Sequence, residues 1–229
     1  MSKKQILIVV GVVAVLGLVI FMNRGPLTPV ASSAVTEPRI VVSSAHAYLV
    51  EDGARGKELA TGDTIAVPAI IETDVSGKAS VFFADGSVAR LDGDTRIVLR
   101  ESAYDAKSGK LVVRLALTVG RVWSKIVQLT TSDSAWEVET SQAVAAVRGS
   151  AFGVENDASG STFVGSEHTV EITPIDPKTG TRLTDKTTPL GEDKFVVVTD
   201  DDVAAAVGGN WQANVQDVST DAINTDWVN

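Results

Sequence analysis

The residues able to do chemistry in this chain are few and scattered. Its two histidines, His46 and His168, lie far apart, each beside a run that reads as a strand. A lone histidine there is a surface or core residue before it is a general base or ligand. Asp92-Gly93-Asp94 places two carboxylates in one tight turn, the oxygen chemistry that calcium accepts, but without the longer acidic ladder of an EF-hand loop. It reads as a turn and strand cap. Asp200-Asp201-Asp202 precedes a short Ala/Val run ended by Gly208-Gly209, which reads as an acidic helix start and a glycine stop. There is no cysteine, so thiolate metal sites, cysteine nucleophiles and disulfides are excluded. Neither a Gly-x-Ser-x-Gly elbow, a phosphate-binding glycine loop nor His-Glu-x-x-His occurs. These residues point to no catalytic site, no metal site and no cofactor.

Two short turns have sharper meaning. Asp85-Gly86 separates the apolar runs 79–83 and 88–91, and Asp-Gly is a strong hairpin signal because glycine supplies a positive φ. Arg148-Gly149-Ser150 interrupts an apolar stretch between Val147 and Ala151-Phe152. Glycine there marks a bulge or a close backbone approach. That gives Arg148 a reason to be fixed, by a carboxylate or by backbone carbonyls, with a partner contact as the competing role. Trp123 and Trp136 read as core. Trp211 and Trp227 lie in the tail and are candidates for a partner contact through partly exposed rings.

The elements that must position these residues are β-strands. From Arg39 onward, short runs of Val, Ile, Leu and Thr alternate with Gly and Asp turns. Strand-like runs fall at 40–42, 47–50, 79–83, 88–91, 95–102, 110–118, 121–127, 136–140, 143–147, 151–154, 162–164, 169–172 and 194–199. Gly120 is expected to break the strand before it, and 174–192, with three prolines, to be a long excursion. The expected fold is an all-β domain of short antiparallel strands, a sandwich or β-roll, followed by one or two short C-terminal helices. The chain divides into a head at 1–4, an apolar segment at 5–23, a Pro- and Ser-containing linker at 24–38, the β domain at 39–200 and a helical tail at 201–229.

The segment 5–23 carries no charge, and its apolar part would span ~26 Å as a helix, near the hydrocarbon thickness of a bilayer. An uncleaved signal anchor is the expectation. A cleaved signal with a site near Ser32-Ser33-Ala34 and a buried core helix are the competing readings. Lys3 and Lys4 against the single Arg24 favour a cytoplasmic N-terminus and an extracytoplasmic domain in a single-pass arrangement. The formal net charge of −9 makes nucleic acid a poor partner.

Gly62-Asp63-Thr64-Ile65, Thr73, the stretch from Gly77 to Leu99 with its Asp85-Gly86-Ser87 turn, and Gly120-Arg121-Val122-Trp123 together resemble the FecR domain family. The most specific part is Val138-Glu139-Thr140 followed by Ala143 to Val154, which is similar to the family's V-x-T … V-R-G-T-x-F-x-V signature with Ser150 in the threonine place. The resemblance covers about Val41 to Asn210. It implies an all-β extracytoplasmic domain in which Asp85, Gly86, Arg148, Gly149, Ser150 and Phe152 are structural motif residues. In signalling members such a domain passes a signal to a cytoplasmic anti-sigma segment. Only Met1 to Lys4 precede the apolar segment, so that half of the arrangement is not expected here. The expected role is a non-catalytic, membrane-anchored binding module whose partner is an envelope or membrane protein. The alternative is an extracytoplasmic sensor acting through a separate membrane partner.

Overall fold

A computed structural model describes residues 37–127, 129 and 131–218. The alternation of apolar and polar residues produces two mainly antiparallel sheets that share one strand. The first sheet runs in the order β1 (Arg39–Ser44), β5 (Lys78–Phe82), β6 (Val88–Leu91), the end of β8 (Lys110–Lys125), β11 (Ala151–Asp157), β12 (Gly160–Glu167), β15 (Lys194–Val198) and β16 (Gln216–Asp217). The second runs β3 (Ala54–Glu58), β2 (Ala47–Glu51), β4 (Ala69–Thr73), β7 (Arg96–Asp105), the start of β8, β9 (Ala135–Glu139), β10 (Ala143–Val147), β13 (Val170–Pro174) and β14 (Thr188–Leu190).

The shared strand departs from expectation. Gly120 does not end it. β8 pairs with β7 up to Val119 and with β11 from Gly120 onward, so the glycine is where one continuous strand changes sheets. Gly120 has φ +95°, and a Cβ there would lie 2.5 Å from the Cα of Thr95. A side chain is excluded on both counts. Beyond Lys125 the chain crosses back through residues 126–134 and enters β9, which lies parallel to β8 (Val112 opposite Ala135 through Ala116 opposite Glu139). Parallel neighbours require such a crossover, and this one carries no helix among the described residues.

Period-two patterning fills the space between the sheets. Val81, Leu91, Val122, Phe152 and Phe163 from the first sheet meet Ile97, Leu115, Trp136, Val138 and Ile172 from the second in one buried cluster. Phe83 meets Trp136 edge-on at 4.8 Å between ring centroids. Trp123, one residue past the inward Val122, points to the opposite face. There it joins Val88 and Ala151 in a small separate cluster under the Arg90 guanidinium, 4.5 Å from its ring. Trp136 therefore lies in the expected core, whereas Trp123 is buried outside it.

The expected acidic helix forms as α1 (Asp200–Val207). Thr199 and Asp202 cap it reciprocally: the Thr199 hydroxyl accepts from the Asp202 N–H, and the Asp202 carboxylate accepts from the Thr199 N–H. The last short helix expected within 217–227 falls almost wholly outside the described residues, which end at Val218. Residues 210–218 run extended, with Trp211, Ala213 and Val215 partly buried against the core and Gln216–Asp217 pairing with β15. The excursion 174–192 holds more order than its prolines suggest, with a 3₁₀ turn at Thr184–Lys186, β14 and a bridge between Ile175 and Arg182. Among the described residues no helix is long and apolar enough to cross a membrane; the segment 5–23 lies outside them.

Candidate functional site

The Asp85-Gly86-Ser87 turn joins β5 to β6. Gly86 takes φ +92°, and Phe83 and Ser87 close the loop through a 2.9 Å bond from the Phe83 N–H to the Ser87 carbonyl. The Asp85 carboxylate accepts from the Ser87 N–H at 2.9 Å and from the Ser87 hydroxyl at 2.6 Å. The fully buried Ser87 oxygen then accepts the Val127 N–H at 3.0 Å. The turn thus grips the start of the crossing 126–134.

The Arg148-Gly149-Ser150 turn grips the same segment from β10 and β11. The Ile126 N–H donates to the Ser150 carbonyl at 2.9 Å and the Leu129 N–H to the Arg148 carbonyl at 3.0 Å. Arg148 donates from Nη2 to the Ser132 carbonyl at 3.0 Å, so of the two partner types expected for it the carbonyl is the one found. Gly149 has φ +135°, which lets the chain turn between the strands. The Ser150 hydroxyl bonds the Glu167 carbonyl at the end of β12, and Phe152 is buried in the core. Two motifs some sixty residues apart in sequence therefore tie down one crossover. Their hydrogen-bonding groups meet backbone groups and each other.

A further buried polar cluster was not visible as such in the sequence. Thr140 and Gln142, at the β9–β10 turn, meet Asn156 and Ser161 of the β11–β12 hairpin, all at most 6% exposed. The Ser161 hydroxyl lies 2.8 Å from Thr140 Oγ1, 2.7 Å from Gln142 Oε1 and 2.9 Å from Asn156 Oδ1. It carries one proton, so the remaining needs are met elsewhere. Ser141 Oγ donates to Gln142 Oε1, and Asn156 Nδ2 donates to the Leu117 and Thr118 carbonyls. Gln142 Nε2 reaches Asp200 of α1 at 2.9 Å. The cluster stitches both sheets and the helix at one end of the sandwich. Thr140 was legible only as a motif letter, because its partners come from three distant segments.

The outer face of the second sheet carries a ladder of ion pairs. Glu72 holds Arg55 at 2.7 Å and Arg96 at 3.4 Å. Arg114 bridges Glu101 and Glu137, Arg182 grips both oxygens of Glu137 at 3.0 and 2.6 Å, and Arg100 holds Glu139 at 2.6 Å. Arg182, with Arg114 behind it, keeps the Glu137 carboxyl below its ordinary value against the opposing effect of burial. Val112, Ala116 and Val144 share this face yet are at most 9% exposed. Aliphatic stems of long charged residues provide such cover. Where the ladder ends, a cleft of about 340 Å³ opens beside Arg148, between Glu137, Ala146, Thr169 and Glu171.

The remaining predicted residues do not converge. His46 is exposed and pairs with Glu58 at 2.7 Å, which raises its pKa. His168 sits in the exposed turn between β12 and β13 with φ +55°. Asp92-Gly93-Asp94 is a turn held by Thr73 and Thr95: Thr73 Oγ1 donates to the Asp92 carbonyl at 2.6 Å and accepts the Thr95 N–H at 3.0 Å. No group of three or more metal-ligating side chains occurs among the described residues. Trp211 is partly buried, and Trp227 lies outside the described residues.

Against known proteins, no curated sequence matches the chain. Two crystal structures of a protein from Parabacteroides distasonis put forward as an anti-sigma factor align with it at 14% and 16% identity, each with a TM-score of 0.45 over 65% of this chain. The aligned part spans 59% of the length of each. The family model described as FecR protein matches residues 69–171. That interval takes in the Asp-Gly-Ser turn, the sheet-switching strand, the crossing and the Arg-Gly-Ser turn. From Ala69 to Glu171, this chain carries a FecR domain.

Proposed function

We propose that this protein is a membrane-anchored, non-catalytic binding module whose β domain stands on the extracytoplasmic side and docks an envelope or membrane protein. The observation that carries this reading is the use made of the polar motif residues. Asp85, Ser87, Arg148 and Ser150 bond backbone groups and each other around one crossover, which supports a rigid display frame rather than a reacting centre. The apolar, uncharged segment 5–23 and the basic Lys3-Lys4 head support the anchor and its orientation.

Two experiments on the full chain test the reading. Protease added to intact cells digests the β domain if it lies outside; protection of the domain overturns the orientation. Crosslinking in intact membranes, followed by purification of the full chain, is expected to yield a discrete envelope partner. Recovery of the chain alone counts against a docking role. The FecR match also favours a second reading, in which the domain senses outside and acts in signal transduction through a separate membrane protein. A sigma factor or anti-sigma protein encoded next to this one would favour that reading over simple docking.

A further inference from the structure

The cleft beside Arg148 differs from the rest of its face in one respect. Every other described arginine on the ladder (Arg55, Arg96, Arg100, Arg114 and Arg182) already holds a carboxylate. Arg148 is exposed and, among the described residues, donates only to the Ser132 carbonyl, which fixes the guanidinium while leaving most of its N–H groups open there. Glu171 is exposed as well and forms no ion pair among the described residues. Ala146 stands opposite Glu171 in the β10–β13 ladder, and Arg148 follows Ala146 by two residues, which makes Arg148 and Glu171 diagonal neighbours. The two opposite charges nonetheless flank an open volume of about 340 Å³ instead of bridging it. Its floor includes the small side chains of Ala135 and Ala146, which leave room for main chain.

The geometry points to this cleft as a recognition site for a dipolar peptide segment of a partner protein. A carboxylate of the segment enters the Arg148 fork, and a basic side chain nearby meets Glu171. Guanidinium–carboxylate pairing is among the stronger hydrogen-bonded contacts, and the neighbouring Glu137 and Glu171 disfavour an anion that brings no cation with it. This inference rests on the binding-module reading and assigns it a place and a ligand class.

The test is an NMR titration of the full chain in detergent micelles with the dipeptide Asp-Lys, acetylated and amidated so that only its side chains carry charge. The expected result is saturable shifts at the Arg148 Nε–H and at the amides of Ala146, Thr169 and Glu171. Affinity falls ~10-fold or more in Arg148→Gln and in Glu171→Gln, each a lost charge-assisted contact, while Arg39→Gln binds as the parent does. Glu171→Gln keeps the test decisive if Arg148→Gln fails to fold, since Glu171 is exposed. Non-saturating shifts, or unchanged affinity in Glu171→Gln and a folded Arg148→Gln, overturn the proposal. An envelope partner whose crosslinking is indifferent to Arg148→Gln also overturns it while leaving the module reading intact. Dipeptide binding without any crosslinked partner does the reverse.

Discussion

Two polar regions of this domain use side-chain hydrogen bonds to opposite ends. In the interior, Ser87, Ser150, Thr140, Gln142, Asn156 and Ser161 are at most 6% exposed and bond carbonyls, amides and one another across both sheets. On the outer face of the second sheet, charged pairs of comparable length lie in solvent, with the ladder arginines 30–51% exposed at the side chain. Removing a buried partner strands a polar group without water, which costs ~1–3 kcal/mol. Removing an exposed ion-pair partner costs ~0–1 kcal/mol, because water replaces it. Placement, rather than bond count, therefore separates what holds the fold from what decorates it.

Substitutions can break or sharpen that contrast. The largest effect is expected from Asn156→Ala, which takes the Asn156 Nδ2 donor from the Leu117 and Thr118 carbonyls and opens a small cavity. A loss of ~2–4 kcal/mol in a urea unfolding curve is expected; a loss below 1 would put this cluster on a par with the surface. Ser87→Ala is next, at ~1–2 kcal/mol, since one hydroxyl serves both Asp85 and the crossing. Arg100→Ala, which touches only the exposed pair with Glu139, is expected to change stability by less than ~0.5 kcal/mol.

The ladder has a pH signature of defined sign. Glu137 has a folded pKa below its ordinary value of 4.5, so its contribution is fully present above that pH and is lost as pH falls through the lowered value. Glu137→Gln is therefore expected to flatten the acid limb of a stability–pH curve while moving the neutral plateau by less than ~1 kcal/mol. An unaltered acid limb would mean the ladder does not act through Glu137.

Strands were legible wherever apolar and polar residues alternate, as in β7, β8 and β9. β3 was not, because Ala54–Glu58 is exposed throughout and offers no apolar face. β4 was not either, since Ala69–Thr73 lacks a clean alternation. The glycine at 120 was visible as an interruption, but only the close approach of Thr95 tells a break from a change of sheet. The motif letters around Asp85 and Arg148 were legible, yet that both grip residues 126–134 was not. Sequence separation hides which backbone groups will need partners until the crossover is placed. The cleft likewise depends on what Arg148 and Glu171 fail to bond, which no local pattern records.

The central claim is that the two motif turns act together to hold the crossover. Amide hydrogen exchange of the full chain at Ile126, Val127 and Leu129 tests it most directly, in Ser87→Ala set against Arg100→Ala. The account predicts that Ser87→Ala speeds exchange at Val127 and its neighbours, and that Arg100→Ala leaves them as slow as in the parent. Unchanged protection at Val127 in Ser87→Ala would contradict it.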